Sequence, residues 1–168
     1  TEINKFRKEF KEIIVKPLYG NGGKQIFHIR ESDPNLSSLL EMFFDHSNEP
    51  LIIQRYLPEV RKGDCRVIMI NGEVVGAVNR VPPKGEARSN LHVGGTAERK
   101  ILSNKEMKIC EALSEELKKR ELILVGLDII GNYLTEINVT SPTGIQEISK
   151  FNKTNLSAKF WDAVESYI

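Results

Sequence analysis

Hydrophobic and polar positions along the chain switch between a helical and a strand period. Ile3, Phe6 and Phe10 recur at helical spacing and predict a short helix over about 2–10. Strand-like runs follow at 12–16 and 25–29, on either side of Gly20-Asn21-Gly22-Gly23, so this stretch reads as strand, loop, strand. Asp33-Pro34 reads as a cap followed by a first-turn proline, opening a helix with Leu36, Leu39, Leu40 and Phe43 on one face. Leu51-Ile52-Ile53 reads as a buried strand. Residues 66–70 and 74–78 flank Asn71-Gly72, a strong signal for a type I′ hairpin. Residues 81–96 read as a long polar loop. Ser103 and Glu106 form a capping box for a helix to about Arg120, with Met107, Cys110, Leu113 and Leu117 turned inward. Strands at about 123–130 and 133–138, a turn at Ser141-Pro142-Thr143-Gly144, and a last helix from about Asn155 burying Leu156, Phe160, Trp161 and Val164 complete the pattern. Hairpins with packed helices indicate an α+β fold.

Composition narrows the class. The 168 residues suffice for one substantial domain or two small lobes, and 40% hydrophobic with 28% charged residues is ordinary for a soluble globular protein. A net charge of +1 gives no reason to expect a nucleic-acid partner, and no apolar run approaches a membrane span. Cys65 and Cys110 fit no metal spacing and read as reduced thiols of a cytoplasmic protein. His28 and His46 show no partner pattern and read as structural or surface residues. The chain starts at Thr1, inside a segment that already looks helical, which suggests a piece of something longer.

Four constellations carry candidate chemistry. In the first, Lys16 sits at a strand end just before the glycine turn. Glycines let backbone N–H groups approach an anion closely, so phosphate is one reading and an ordinary turn the other. Two familiar phosphate motifs are excluded: Gly23-Lys24 is followed by Gln25, and the residues after it favour a strand over a helix start.

The second is Gly126 to Asn138, with Asp128, Glu136 and Asn138 inside apolar strands. Such groups are costly there unless paired or bound to metal, and an all-oxygen set suits Mg²⁺. A polar strand face is the alternative. Parity decides between them, because side chains alternate along a strand. A two-residue Gly131-Asn132 turn sets Asp128 across from Thr135 and turns Glu136 away. An odd loop, Gly131-Asn132-Tyr133, sets Asp128 across from Glu136, and a bulge restores the same parity. The metal reading requires one of the last two, and the odd loop is the arrangement it expects first.

The third is Ile53 to Pro58 with Lys62-Gly63-Asp64-Cys65-Arg66, whose strand end could offer backbone groups to a base edge and a carboxylate to a ribose. A plain linker is the alternative. The fourth is the loop Arg80 to Gly95. Loops beyond about 12–15 residues in a compact domain are usually functional or disordered, and its arginines suit bidentate anion contacts. A solvated loop is the alternative, with His92 incidental.

Taken in order, these elements resemble the ATP-grasp superfamily. V-K-P-L-x-G-x-G-G, Q-x-Y-L-P, K-G-D-x-R, the R-V-P and G-E-x-R-x-N-L loop, and G-L-D-I-I-G with L-T-E-I-N-V-T-S-P-T-G are similar to the C-terminal part of prokaryotic glutathione synthetases. The resemblance covers nearly all of the chain. It implies two small α+β lobes, residues 1–57 with a glycine-rich lid and residues 58–168 with metal and substrate residues, holding the nucleotide between antiparallel sheets. It also implies that an N-terminal substrate domain is missing and that this chain alone makes no glutathione.

The resemblance further implies roles. Lys16 meets the ATP phosphates under a lid of Gly20, Gly22 and Gly23. Ile14 and Leu134 sandwich adenine, Gln54, Tyr56 and Leu57 line its edge, and Asp64 holds the ribose. Asp128, Glu136 and Asn138 hold Mg²⁺, with Mn²⁺ as a substitute. Arg66, Arg80 and Arg88 neutralise developing charge, and Asn90 with Ser141, Pro142, Thr143 and Gly144 binds substrate. The substrates it implies are ATP, γ-glutamylcysteine and glycine, joined through an acyl phosphate by a cytoplasmic enzyme with no nucleic-acid or membrane partner, open to homo-oligomer formation at full length. Another ATP-grasp ligase of the glutamate or D-alanine type, or a non-catalytic ATP-binding module, is the alternative.

Overall fold

A computed structural model describes residues 2–20, 22–85, 88–89 and 94–168. The chain opens with helix α1 (Glu2–Phe10), strands β1 (Ile13–Pro17) and β2 (Phe27–Ile29), helix α2 (Leu36–His46) and strand β3 (Leu51–Arg55). These strands form an antiparallel sheet in the order β2-β1-β3. One face carries Ile13, Val15 and Ile29 against Leu36, Leu39 and Phe43 of α2, with Ile3, Phe6 and Phe10 of α1 beside them. Alternation sends Ile14 and Lys16 to the opposite face, with Gln54 and His28 across from Ile14, and Glu12, just before the strand, meets His28 there. α2 starts two residues later than the cap-and-proline reading places it. Asp33 accepts the Asn35 N–H at 2.9 Å, and this turn spends the expected cap before the helix begins.

A 3₁₀ turn over Pro58–Lys62 leads into the second sheet. It comprises β4 (Asp64–Ile70), β5 (Glu73–Val81), β6 (Thr96–Arg99), β7 (Leu124–Ile130) and β8 (Tyr133–Asn138), in the order β6-β5-β4-β7-β8. Helix α3 (Asn104–Lys119) bears the expected capping box and covers the face made by Cys65, Val67, Met69, Val125, Leu127 and Ile129. Helices α4 (Ile145–Asn152) and α5 (Leu156–Glu165) cover part of the other face, over Ile68, Ile70 and Val78. Three expectations need correction. Residues 96–99 pair with β5 as a strand, although the expected loop takes in Thr96. Residues 145–152 are a helix where only a turn at 141–144 was expected. Trp161 stands 59% exposed, because Phe160 turns inward and takes Trp161 edge-on from outside.

Two hairpins of the second sheet share one device. Asn71-Gly72 is a two-residue turn with both φ angles positive (48° and 74°), as a type I′ turn requires. Gly131-Asn132 is also a two-residue turn, joining Ile130 to Tyr133, so the odd loop is not formed. Each hairpin then takes one extra residue on its second strand, Val75 in one and Thr135 in the other. Were the first ladder regular, Asp64 would face Asn79; with Val75 as the extra residue, Asp64 faces Arg80. Were the second ladder regular, Asp128 would face Thr135; with Thr135 as the extra residue, Asp128 faces Glu136. Arg66 pairs with Asp128 between the two hairpins, so Arg66, Asp128 and Glu136 make one row across the sheet. β8 closes one edge, with Tyr133, Ile137 and Val139 exposed along it.

Candidate nucleotide and metal site

The row ends in a buried charge cluster. Arg66 donates through Nε to Asp128 Oδ1 and through Nη2 to Oδ2 at 2.8 Å, a bidentate fork. Arg80 Nη2 lies 2.9 Å from the same Oδ2 and donates to Asp64 Oδ2 at 2.5 Å. Ser89 donates its hydroxyl to Asp64 Oδ2 at 2.9 Å. Two guanidiniums thus balance two carboxylates, all less than a tenth exposed. The two acids respond in opposite directions. Burial and the neighbouring Asp128 charge push Asp64 up to about 6. Burial also works against the charge of Asp128, but the Arg66 hydrogen bonds and the charges of Arg80 and Arg66 outweigh it and hold Asp128 below the usual carboxylate range. Burial opposes the Arg80 charge as well, yet Asp128 and Asp64 raise that guanidinium above its ordinary value. Among the described residues, Asp64 Oδ1 and Arg80 Nε are buried without a hydrogen-bond partner. Unmet polar atoms of this kind fit a site that a ligand completes.

Close packing holds the cluster in place. A Cβ on Gly126 would come within 2.7 Å of Pro142 Cβ and 3.3 Å of Arg66 Cδ, so only glycine lets the arginine stem and the 141–144 turn share that strand. Arg66 Nη1 donates to the Thr143 carbonyl at 3.0 Å. Gly144 (φ 117°) then starts α4, and Pro142 is buried while Ser141 (φ 53°) and Thr143 are exposed.

The two sheets meet at this face. Lys16 Nζ reaches Glu136 Oε1 at 2.7 Å, and Gln54 Nε2 donates to the Thr135 carbonyl at 3.1 Å. Arg88 Nη1 donates to the carbonyl of Gly23, in the glycine turn, at 3.3 Å. That contact ties the glycine turn to the second sheet's side of the molecule, and Gly22 and Gly23 take φ of 66° and 74°. Tyr56 follows Gln54 on the same face, and half-buried Leu57 caps the 3₁₀ turn.

Two of the expected residues stand otherwise than expected. Asp64 is enclosed with Arg80 and Ser89, its carboxylate turned into the charge cluster. Leu134 pairs with Ile129 and packs toward α3, away from Ile14, because the extra residue begins only after it. Asn90 and His92 lie outside the described residues. Sequence reasoning missed Ser89 and the polar part of Thr135, whose hydroxyl donates to the Asp128 carbonyl at 3.1 Å. The parity argument pointed to an extra residue here without giving it a contact.

Asp128 and Glu136 are cross-strand partners, and Asn138, across from Gly126, shares their face. All three offer oxygen, the donor set of a hard divalent cation. Among the described residues no group of three or more His, Cys, Asp or Glu side chains is placed to hold a metal ion. Protein cations already sit on the two carboxylates, Arg66 and Arg80 on Asp128 and Lys16 on Glu136, so the residues fit a metal that would exchange with them.

Two antiparallel sheets clasping a cleft with a lysine, a glycine turn and a carboxylate row define an ATP-grasp fold. Similar solved structures agree. A D-cycloserine synthetase superposes with a TM-score of 0.75 at 16% identity, covering 99% of this chain and 59% of that one. The D-alanine–D-alanine ligase of Bacillus anthracis complexed with ATP gives a TM-score of 0.64 at 15% identity, covering 96% of this chain and 52% of its own. A profile described as prokaryotic glutathione synthetase, ATP-grasp domain, matches residues 1–153, and the chain belongs to that family. It is 58% identical to glutathione synthetases of Mesorhizobium japonicum over 164 residues and Brucella melitensis over 165, covering 98% of this chain in each case and 52% and 53% of theirs. The chain thus spans about half the length of the curated relatives it matches.

Proposed function

We propose that this chain supplies the nucleotide-binding part of a ligase that joins γ-glutamylcysteine to glycine at the expense of ATP. The observation that carries the reading is the Arg66, Asp128, Glu136 row, met across the cleft by Lys16. In it, residues 1–57 form the lobe that carries the lid and residues 58–168 the lobe that carries the carboxylates. ATP lies between them, its phosphates toward Lys16 and Gly20–Gly23, its base toward Ile14, Gln54, Tyr56 and Leu57. Asp128, Glu136 and Asn138 would hold Mg²⁺ or Mn²⁺, which supplies charge neutralisation at the phosphate oxygens when bound.

The carboxylate of the cysteinyl residue attacks the γ-phosphorus, the bond to ADP breaks, and an acyl phosphate forms. The glycine amine attacks the acyl carbon, inorganic phosphate leaves with the C–O electron pair, and the nitrogen gives up its proton. Both steps gather negative charge on oxygen. Arg66 and Arg80 stand in the cluster, and Arg80 Nε, with no hydrogen-bond partner among the described residues, is a donor suited to that charge. Arg88 would answer the same charge, and Ser141, Pro142, Thr143 and Gly144 with Asn90 would bind substrate. The partners are small molecules in the cytoplasm, and homo-oligomer formation at full length is compatible with the scheme. Among the described residues no helix is long and apolar enough to cross a membrane.

Titrating the chain with the non-hydrolysable analogue AMP-PNP and Mg²⁺ tests the nucleotide part, and absence of binding overturns it. Extended to the length of its relatives, the protein should convert ATP, γ-glutamylcysteine and glycine into glutathione, ADP and phosphate. Turnover with D-alanine and not with γ-glutamylcysteine would reassign the substrate.

A further inference from the structure

We infer that His28 is a positioning residue for the base end of the nucleotide, acting through Tyr56. The inference rests on the nucleotide reading above and adds a residue to it. Ile14 and Lys16 of β1 share one face, and Glu12, just before the strand, meets His28 on it. At about 3.3 Å per residue, Ile13 at the start of β1 already lies about 10 Å from Lys16, and Glu12 lies beyond it. Lys16 marks the phosphate end, so the residues around Glu12 mark the opposite end.

There the structure holds a compact polar and aromatic group. His28, across from Ile14 on β2, stacks on Tyr56 with ring centroids 3.9 Å apart and 19° between planes. His28 Nε2 lies 2.6 Å from Glu12 Oε2. The Tyr56 N–H donates to the Glu12 carbonyl at 3.0 Å. The group belongs to neither apolar core of its lobe's neighbourhood: it lies on the face opposite Ile13 and Val15, and the Glu12 side chain is 45% exposed.

Its three members each have a distinct effect. The imidazole fixes one face of the Tyr56 ring. Glu12 fixes the imidazole and, through its carbonyl, the Tyr56 backbone. Tyr56 begins the connection between the two sheets, so the ring that borders the base is set at the point where the lobes join. A rigid aromatic with two torsions lost in advance costs little further ordering when a flat base arrives.

The test compares two ligands that share phosphates and differ in the base. Dissociation constants are measured by calorimetry on the 168-residue chain, for Mg·AMP-PNP and for magnesium tripolyphosphate. His28→Ala should weaken AMP-PNP about three- to tenfold, the usual worth of one aromatic pair, and leave tripolyphosphate unchanged. His28→Phe, which keeps a ring against Tyr56, should recover most of the loss. His28→Gln carries the test if the alanine variant does not fold, and should weaken AMP-PNP alone. Equal AMP-PNP binding by wild type and the variants overturns the inference, as does parallel weakening of both ligands, which marks a merely structural stack. Failure of the wild-type chain to bind AMP-PNP overturns the nucleotide reading itself, and this inference with it.

Discussion

The hairpin at Asn71-Gly72 and the hairpin at Gly131-Asn132 have the same build and different stakes. Each has a two-residue turn and one extra residue soon after it, Val75 or Thr135. In the first, the extra residue places Arg80 beside Asp64, and in the same stroke places Val78, fully buried, over the α4 side. In the second, it places Glu136 and Asn138 on an edge strand whose residues are mostly half-buried or exposed. One device therefore sets a core face and a charged face together in the central hairpin, and sets little besides ligands at the edge. Register is fixed by stability in one place and by ligand chemistry in the other.

The largest expected effect comes from upsetting that parity. A single glycine inserted between Thr135 and Glu136 turns Glu136 and Asn138 to the α3 face. It should abolish Mg·AMP-PNP binding in calorimetry while the circular dichroism and melting of the chain stay close to wild type. The same insertion between Val75 and Gly76 turns Val78 out of the core, and should lower stability by about 1–3 kcal/mol or prevent folding, read by thermal melting. If both insertions behave alike, the contrast between the hairpins is wrong.

Next in size is Arg66→Ala in the full-length enzyme. Loss of one donor to developing charge costs about 10²–10³ in turnover, measured as ADP release. Removal of Thr135 should do far less: the ladder then runs regularly from Ile129–Leu134 to Asp128–Glu136, and the residues on the cleft face keep their places. AMP-PNP binding within about threefold of wild type is expected, the loss being one hydroxyl bond of ordinary net worth and a displaced carbonyl.

The smallest effect is in pH. Asp64 has a raised value in the fold, so the stability it contributes is complete below its ordinary value near 3.8 and disappears as pH rises through about 6. Asp128 has a lowered value, so its contribution is present above the ordinary range and is lost as pH falls through its folded value. Asp64→Asn should flatten the decline between about pH 4 and 6 in denaturant melts and leave the acid limb unchanged.

The sheet face was largely readable from residue order because alternation turns one turn length into a yes-or-no statement about Asp128 and Glu136. Local propensity and ligand chemistry pulled in opposite directions there, and the extra residue Thr135 satisfies both. Contacts between residues distant in sequence were not readable. Asp64 meets Ser89, 25 positions away, and Lys16 meets Glu136, 120 positions away. No period in the chain encodes either. His28 carried no signal because its partners, Glu12 and Tyr56, are adjacent only through strand pairing. Thr96–Arg99 has no apolar alternation of its own and is a strand by virtue of its neighbour. Trp161 looked buried by spacing, but helical spacing defines an arc, and α5 rests on only part of it.

The β8 edge has a consequence for anyone handling the chain. Among the described residues one rim of its backbone has no strand beside it, and Tyr133, Ile137 and Val139 lie along it at 53%, 44% and 48% exposure. An apolar rim with open backbone groups invites another strand. Solutions of the chain should therefore scatter more light as they are concentrated, and a lysine in place of Ile137 should extend the concentration range over which they stay clear.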